Sequence, residues 1–214
     1  MKFLDRLSYK YGRHAIENLM LYIVIGMAII FISDFLLLPQ IGISLSALLA
    51  FDKAAILSGQ IWRIFTFIFI PPDSSLIFII FALYFYWMIG SGLESAWGSF
   101  KFNVYYLVGI LGTIAAGLLT GYANNYYLNL SLFFAFAALY PDFQVLLFFI
   151  LPVKIKWLAW LDAAYFVISF FRSGLGGKIA LLVAIANFLL FFGGDFFRRI
   201  KAFFRKRKFK RDFR

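Results

Sequence analysis

Gly59-Gln60-Ile61-Trp62-Arg63-Ile64-Phe65-Thr66, running on to Phe69-Ile70-Pro71-Pro72, is the stretch on which the reading of this chain turns. It falls inside residues 39–74, the one long connection between hydrophobic runs. That connection is too apolar for a solvated loop: Leu45, Leu48, Leu49, Ile56, Ile61, Ile64, Phe65, Phe67, Ile68 and Phe69 crowd into it. A segment of this kind is expected to rest in the outer leaflet of a bilayer. Its flanks are read as membrane spans.

Composition sets the class. Of 214 residues, 64% are hydrophobic and 14% charged, and mean hydropathy is +0.88. A soluble fold of that make-up would have too little polar surface to show water. Every other connection is far shorter than a soluble module of about 50 residues, so one membrane domain is expected. Crossing about 30 Å of hydrocarbon takes about 17–25 mostly apolar residues at about 1.5 Å each. Six runs are read as spans: residues 19–38, 75–89, 104–120, 127–140, 157–171 and 179–192. The first is followed by Leu38-Pro39-Gln40, not by a small-residue cleavage site, which argues for a retained anchor. A further apolar run, residues 145–151 between Pro141 and Pro152, either lengthens the fourth span or lies at the interface. The predicted fold class is all-α: a polytopic six-transmembrane-helix bundle with a long outer first loop. Residues 1–195 make the membrane domain with a short N-terminal cytoplasmic segment, and residues 196–214 a basic amphipathic tail.

The cations give the orientation. With both termini inside, Lys2, Arg6, Lys10, Arg13, Lys101, Lys154, Lys156 and the ten from Arg198 onward face the cytoplasm. Lys53, Arg63, Arg172 and Lys178 face out, a split of seventeen to four that follows the positive-inside rule. The same count accounts for much of the net charge of +11. In the tail, Phe196, Phe197, Ile200, Phe203 and Phe204 recur at helical spacing among the cations, so the expected partner is the anionic lipid headgroup and not nucleic acid. Phe3, Leu4, Leu7 and Tyr11 form a weaker surface segment at the N-terminus.

The stretch from Gly59 to Pro72 resembles the first-loop signature of the rhomboid superfamily, in which Gly-Gln, Trp-Arg and Thr precede a Phe and a proline-terminated turn. Trp87-Met88-Ile89-Gly90-Ser91-Gly92-Leu93-Glu94, then Gly98-Ser99 and Lys101, resembles the ending of that family's second span. Leu139-Tyr140-Pro141-Asp142, Val145 to Phe149, Leu151-Pro152-Val153-Lys154 and Lys156-Trp157-Leu158-Ala159 are similar to its connection from fourth to fifth span. In order, the resemblance covers residues 59–171, and it implies structural roles for Gly59, Gln60, Trp62, Arg63, Gly90, Glu94 and Gly98. Glu94 is expected to brace the turn around Gly98, and Trp62 with Arg63 to brace the fold.

Active members of that family cleave peptide bonds with a serine in Gly-x-Ser-Gly on the fourth span and a histidine on the sixth. A serine hydroxyl is a poor nucleophile until a base within hydrogen-bond reach takes its proton. Here the fourth span opens Tyr126-Tyr127-Leu128-Asn129-Leu130-Ser131-Leu132, with no Gly-x-Ser-Gly, and the sixth holds neither Ser nor His. The positions expected to donate to an oxyanion fall on Phe78 and Ala82, which carry no side-chain donor. His14, the one histidine, precedes the first span. Lys101, Lys154, Lys156 and Lys178 fall at span ends, so a Ser-Lys pair at Ser131 is not expected either.

Four carboxylates near the spans need a place, because a charge at the bilayer centre costs about 2.5–3.5 kcal/mol. Asp34 is expected to reach the outer interface, and Asp162 to be protonated or bonded to Asn187 or Asn129; Glu94 and Asp142 are the others. Gly117 with Gly121, and more weakly Ala180 with Ala184, have the spacing that lets helices pack closely. Zero Cys excludes disulfides and leaves the redox compartment unencoded. No cofactor or metal signature is present, and Ser173-Gly174-Leu175-Gly176-Gly177 follows a span rather than a strand, unlike a phosphate loop.

The resemblance therefore implies a rhomboid-like pseudoprotease, most similar to derlins: not an enzyme, but a binder of client transmembrane helices. Asn129, Ser131 and Asn187 are the candidate client contacts. The competing readings are an intramembrane serine protease with an unrecognised base beside Ser131, and a transporter with a continuous polar path. A bacterial plasma membrane is the expected location.

Overall fold

The computed structural model describes residues 2–147 and 151–191. Helix α1 (Lys2–Tyr11) and a short 3-10 turn (Gly12–His14) lead into α2 (Leu19–Ile41). The long connection holds α3 (Leu45–Leu49), strand β1 (Phe51–Asp52), α4 (Lys53–Leu57), α5 (Arg63–Thr66) and a second 3-10 turn (Phe67–Phe69). Then come α6 (Leu76–Trp97), α7 (Ser99–Thr120), strand β2 (Tyr122–Ala123), α8 (Tyr126–Leu139), strands β3 (Gln144–Leu147) and β4 (Leu151–Lys154), α9 (Ile155–Arg172) and α10 (Leu175–Phe191).

Local chemistry sets the ends. Gly98, at φ +83, accepts a backbone conformation that other residues resist, and its N–H caps the Glu94 carbonyl at 2.8 Å, so α6 stops and α7 starts on the next residue. Tyr140 before Pro141 ends α8 because the pre-proline residue avoids helical ψ. Asp34 on α2 receives the N–H of Ser46 and the hydroxyl of Ser44, which fixes the start of α3 against α2.

The bundle is organised around α8, whose Leu128, Leu132, Phe133, Ala135 and Phe136 are buried. Phe133 meets Phe85 of α6, Phe134 meets both Phe166 of α9 and Phe188 of α10, and Ser131 meets Tyr105 of α7. Helix α2 packs on α6, where Gly90 is needed: a Cβ there would lie 2.4 Å from Met20. The two ends of the bundle differ. At one, here the loop end, β1 pairs antiparallel with β2, tying the long connection to the α7–α8 turn. At the other, the hairpin end, α1 is held by a Lys101–Asp5 ion pair and β3 pairs with β4.

Helices α2, α6 and α7 contain the segments Leu19–Gln40, Leu76–Trp97 and Ser99–Thr120, each long and apolar enough to cross a membrane, and they mark the chain as an integral membrane protein. Among the described residues these three helices meet that criterion. Helix α8 has 14 residues, about 21 Å at 1.5 Å per residue and short of a bilayer core. Helix α9 carries Lys156, Asp162 and Arg172 within 18 residues.

Several expectations are corrected. The fold is mostly helical, with two small antiparallel ladders that the sequence reading did not include. Residues 145–151 do not lengthen the fourth span: after Tyr140 and Pro141 the chain turns into the β3–β4 hairpin, leaving residues 148–150 outside the described residues. The second span runs on to Trp97 because Gly90 and Gly92 are not helix breakers there but the points where Met20 and Phe136 press in. Residues 174–177 are not all loop, for α10 starts at Leu175. Gly117 and Gly121 do not form a helix-packing pair: Gly117 makes room for Phe51 and Ala123 of the β1–β2 ladder, and Gly121 closes α7. The close contacts of α7 with α10 come instead at Gly109 and Gly112, where a Cβ would lie 2.9 Å from Asn187 and 2.7 Å from Val183. Phe192 and the basic tail, residues 196–214, lie outside the described residues.

Candidate functional site

The loop motif closes on a short helix. Helix α3 has only five residues, so the carbonyls at its end lack partners of its own. The side chains of the Trp-Arg stretch supply them. Arg63 Nη1 donates to the carbonyls of Ala47 and Ala50, each at 2.8 Å, and its Nε to Gln60 Oε1 at 2.7 Å. Thr66 Oγ1 donates to Leu49 O at 2.8 Å, and Trp62 Nε1 to Leu48 O at a longer 3.4 Å. Gly59 stands at φ +105 with open space around it, its role being backbone shape. Arg63 is 8% exposed, a buried brace between α3 and α5, while Trp62 remains half exposed.

Glu94 braces a different turn from the one expected. Its Oε1 accepts the backbone N–H of Asn18 at 2.8 Å, pinning the start of α2 to the end of α6, while only its carbonyl serves Gly98. Asn18 has φ +54, a left-handed conformation that asparagine tolerates better than most residues.

The three candidate client residues are buried and divide between two faces of α8. Ser131 and Asn187 come together: Asn187 Nδ2 donates to Ser131 Oγ at 3.3 Å. The Tyr105 hydroxyl makes a short contact with Ser131 Oγ and lies 3.1 Å from the Ser131 carbonyl. Among the described residues, the side chains bonded to Ser131 are thus a phenol and a carboxamide. Asn187 Oδ1 has no protein partner. Asn129 is elsewhere: its amide has no hydrogen bond of good geometry, and its polar neighbour is Tyr86 of α6. One turn earlier, Tyr126 lies within electrostatic reach of Tyr86 and of Asp162 and Tyr165 on α9. Asn129 therefore faces α6, one turn from where Tyr126 approaches α9, and Ser131 faces α7 and α10. No hydrogen bond of Asp162 to Asn129 or Asn187 occurs.

A cleft of about 280 Å³ opens at the loop end between α7, α8 and α10, lined by Thr113, Thr120, Asn124, Tyr127 and Gly176 among others. A second pocket of about 10 Å³ shares Thr113, Tyr127 and Ala180 with it and lies beside Ser131 and Asn187. Among the described residues, no group of three or more His, Cys, Asp or Glu side chains gathers that could hold a metal ion. At the hairpin end, the Lys156 and Lys154 ammonium groups beside Asp142, at 2.7 and 3.3 Å, hold its carboxyl below the usual carboxylate range.

Two positions escape sequence reading. Asn125 donates to the carbonyls of Ile68 and Ile70, at 3.0 and 2.8 Å, joining the end of the long connection to the start of α8. Asn124-Asn125 before an apolar run reads only as a helix start. Tyr105 reads as one of many aromatics, and only its hydroxyl inside a span hints at a buried polar partner. Neither the scan against protein-family models nor the search of curated proteins returned a match to this chain.

Proposed function

We propose that this chain is a non-catalytic, rhomboid-like membrane protein that holds transmembrane segments of other proteins. In this reading α2, α6, α7, α8, α9 and α10 all cross the bilayer, with both termini in the cytoplasm. The central place of α8 supports it, since a short helix enclosed by neighbours need not match the lipid thickness alone. The charge at the two ends supports the orientation: seven cations precede or follow the spans at the hairpin end, against four at the loop end. Anionic lipid headgroups are the partner of the tail, and a bacterial plasma membrane its setting.

The observation that carries the functional reading is the division of polar side chains on α8. Ser131 is engaged by Tyr105 and Asn187, neither of which accepts a proton at neutral pH, so the hydroxyl is not activated for attack. Asn129 is buried beside Tyr86 of α6, with neither amide atom in a well-formed hydrogen bond, near the seam of α6 and α9. Such a group costs about 1–3 kcal/mol when left unsatisfied. A client helix that enters the seam and brings a polar side chain recovers that cost, as interhelical hydrogen bonds do in membranes. Ser131 Oγ is occupied by Tyr105 and by Asn187 Nδ2, and the pair faces α7 and α10 in the bundle interior, which in this reading narrows the client contact to Asn129.

Photo-crosslinkers at Ala82 of α6 and Tyr165 of α9, with Leu111 of α7 as control, test this in reconstituted protein. A model single-span segment with a central asparagine is expected to crosslink at 82 and 165 well above 111, and less after Asn129→Leu. Equal capture at all three positions, unaffected by Asn129→Leu, contradicts the proposal.

A further inference from the structure

We propose that the cleft between α7, α8 and α10 binds an uncharged, hydroxyl-bearing headgroup of the kind an acylglycerol lipid presents. The first support is Asn187, 4% exposed, which lines the small pocket beside the cleft and whose Oδ1 has no protein partner. A buried amide oxygen without a partner calls for a donor. The small pocket, about 10 Å³, has room for one water or one hydroxyl and nothing larger. The cleft, about 280 Å³, lies just under the roughly 300–1,000 Å³ usual for small-molecule sites.

The lining specifies the chemistry. Thr113 Oγ1 spends its hydrogen on Gly109 O at 2.9 Å, and Thr120 Oγ1 on Ala116 O and Tyr122 O at 2.9 and 3.0 Å. Both hydroxyl oxygens are thereby left as acceptors. Gly176 and Gly177, in the first turn of α10, bring backbone N–H groups that have no intrahelical partner. The site thus offers the acceptor oxygens of Thr113, Thr120 and Asn187 beside donors from the Tyr127 hydroxyl, the Asn124 amide and the start of α10, and among the described residues no charged side chain lines it. A hydroxyl both donates and accepts, and so suits each. A carboxylate or phosphate would suit the helix start but would meet the oxygens of Thr113, Thr120 and Asn187 with like polarity, and no basic side chain compensates. Leu119 and Leu175, next in sequence to Thr120 and Gly176, are 75% and 81% exposed, so an acyl chain leaving the mouth meets apolar surface. The site is on a different face of α8 from Asn129 and does not depend on client binding.

The test is photo-labelling of the full chain in phosphatidylcholine nanodiscs by a monoacylglycerol carrying a diazirine beside its headgroup, with labelled peptides mapped. Labels are expected in residues 113–127 and 174–187, competed by unlabelled monooleoylglycerol. Thr113→Val, isosteric and mild for folding, is expected to reduce labelling about fivefold, the loss of one hydrogen bond of about 1 kcal/mol. Ala180→Phe, which fills the small pocket, is expected to abolish it. Competition by free glycerol as well supports the same chemistry with an aqueous source. Labelling unchanged by Thr113→Val and Ala180→Phe overturns the proposal, as does equal competition by methyl oleate, which lacks the hydroxyl donors, or stronger competition by anionic oleate.

Discussion

Replacing Arg63 by alanine removes three hydrogen bonds at once and strands two carbonyls, those of Ala47 and Ala50. Hydrogen bonds of this kind contribute about 1–1.5 kcal/mol each, more when one partner is charged. Arg63 is only 8% exposed, so water replaces them poorly, and Arg63→Ala should cost about 3–5 kcal/mol. Arg63→Lys separates a brace from a mere cation. Lysine keeps the charge but lacks the planar fork that lets one side chain reach Gln60 and two carbonyls together, so it should still lose about 1–3 kcal/mol. The assay is reversible unfolding in mixed micelles followed by tryptophan fluorescence, with limited proteolysis of residues 42–75 as a local readout. Early cleavage in that segment, before global unfolding, should accompany Arg63→Ala. If both variants stay within about 0.5 kcal/mol of the parent, the range of ordinary surface substitutions, the bracing account is wrong.

Further predictions follow from other contacts. Gly90→Ala places a Cβ 2.4 Å from both Cβ and Cγ of Met20 and should cost about 1–3 kcal/mol by parting α2 from α6, whereas Gly59→Ala, with nothing within 4 Å, should cost about 1 kcal/mol or more through backbone strain alone; unfolding in micelles, paired with Met20→Gly, which removes both clashing atoms and should make Gly90→Ala less costly while leaving the cost of Gly59→Ala unchanged, checks both. Glu94→Ala should free the Asn18 N–H and speed amide exchange at the start of α2, while Glu94→Gln, which keeps an acceptor, should change it little. Asp142 has a depressed pKa when folded, so its stabilisation of the hairpin end is complete above the ordinary carboxylate range and is lost as pH falls through the folded value; exchange of the β3–β4 amides should therefore quicken at acid pH, and Asp142→Asn should remove that dependence.

The sequence is legible where one residue type has one physical use. Apolar runs located the helices, and proline at 141 ended α8 as its restricted backbone requires. Arg63 stood out as a cation in so apolar a connection, but its partners, the carbonyls of Ala47 and Ala50, lie 16 and 13 residues back and no local pattern names them. Other positions were misread because their meaning depends on what arrives from afar. Gly90 and Gly92 look like the end of a span until Met20 and Phe136 are seen against them. Gly117 and Gly121 carry a helix-packing spacing, yet a β-ladder fills the space. Asn129 and Ser131 are two residues apart and so point to different faces of one helix, which spacing states but which neighbours alone interpret. The partners of Ser131 come from Tyr105 and Asn187, 26 and 56 residues away, and no local pattern announces them.

The most direct test of the central claim is incubation of the reconstituted chain with single-span substrates and a serine-reactive phosphonate, alongside Ser131→Ala. The account predicts that a substrate co-purifies uncut and that no phosphonate is attached. Cleavage or labelling that disappears in Ser131→Ala would contradict it, by showing that Ser131 finds a base despite its bonds to Tyr105 and Asn187.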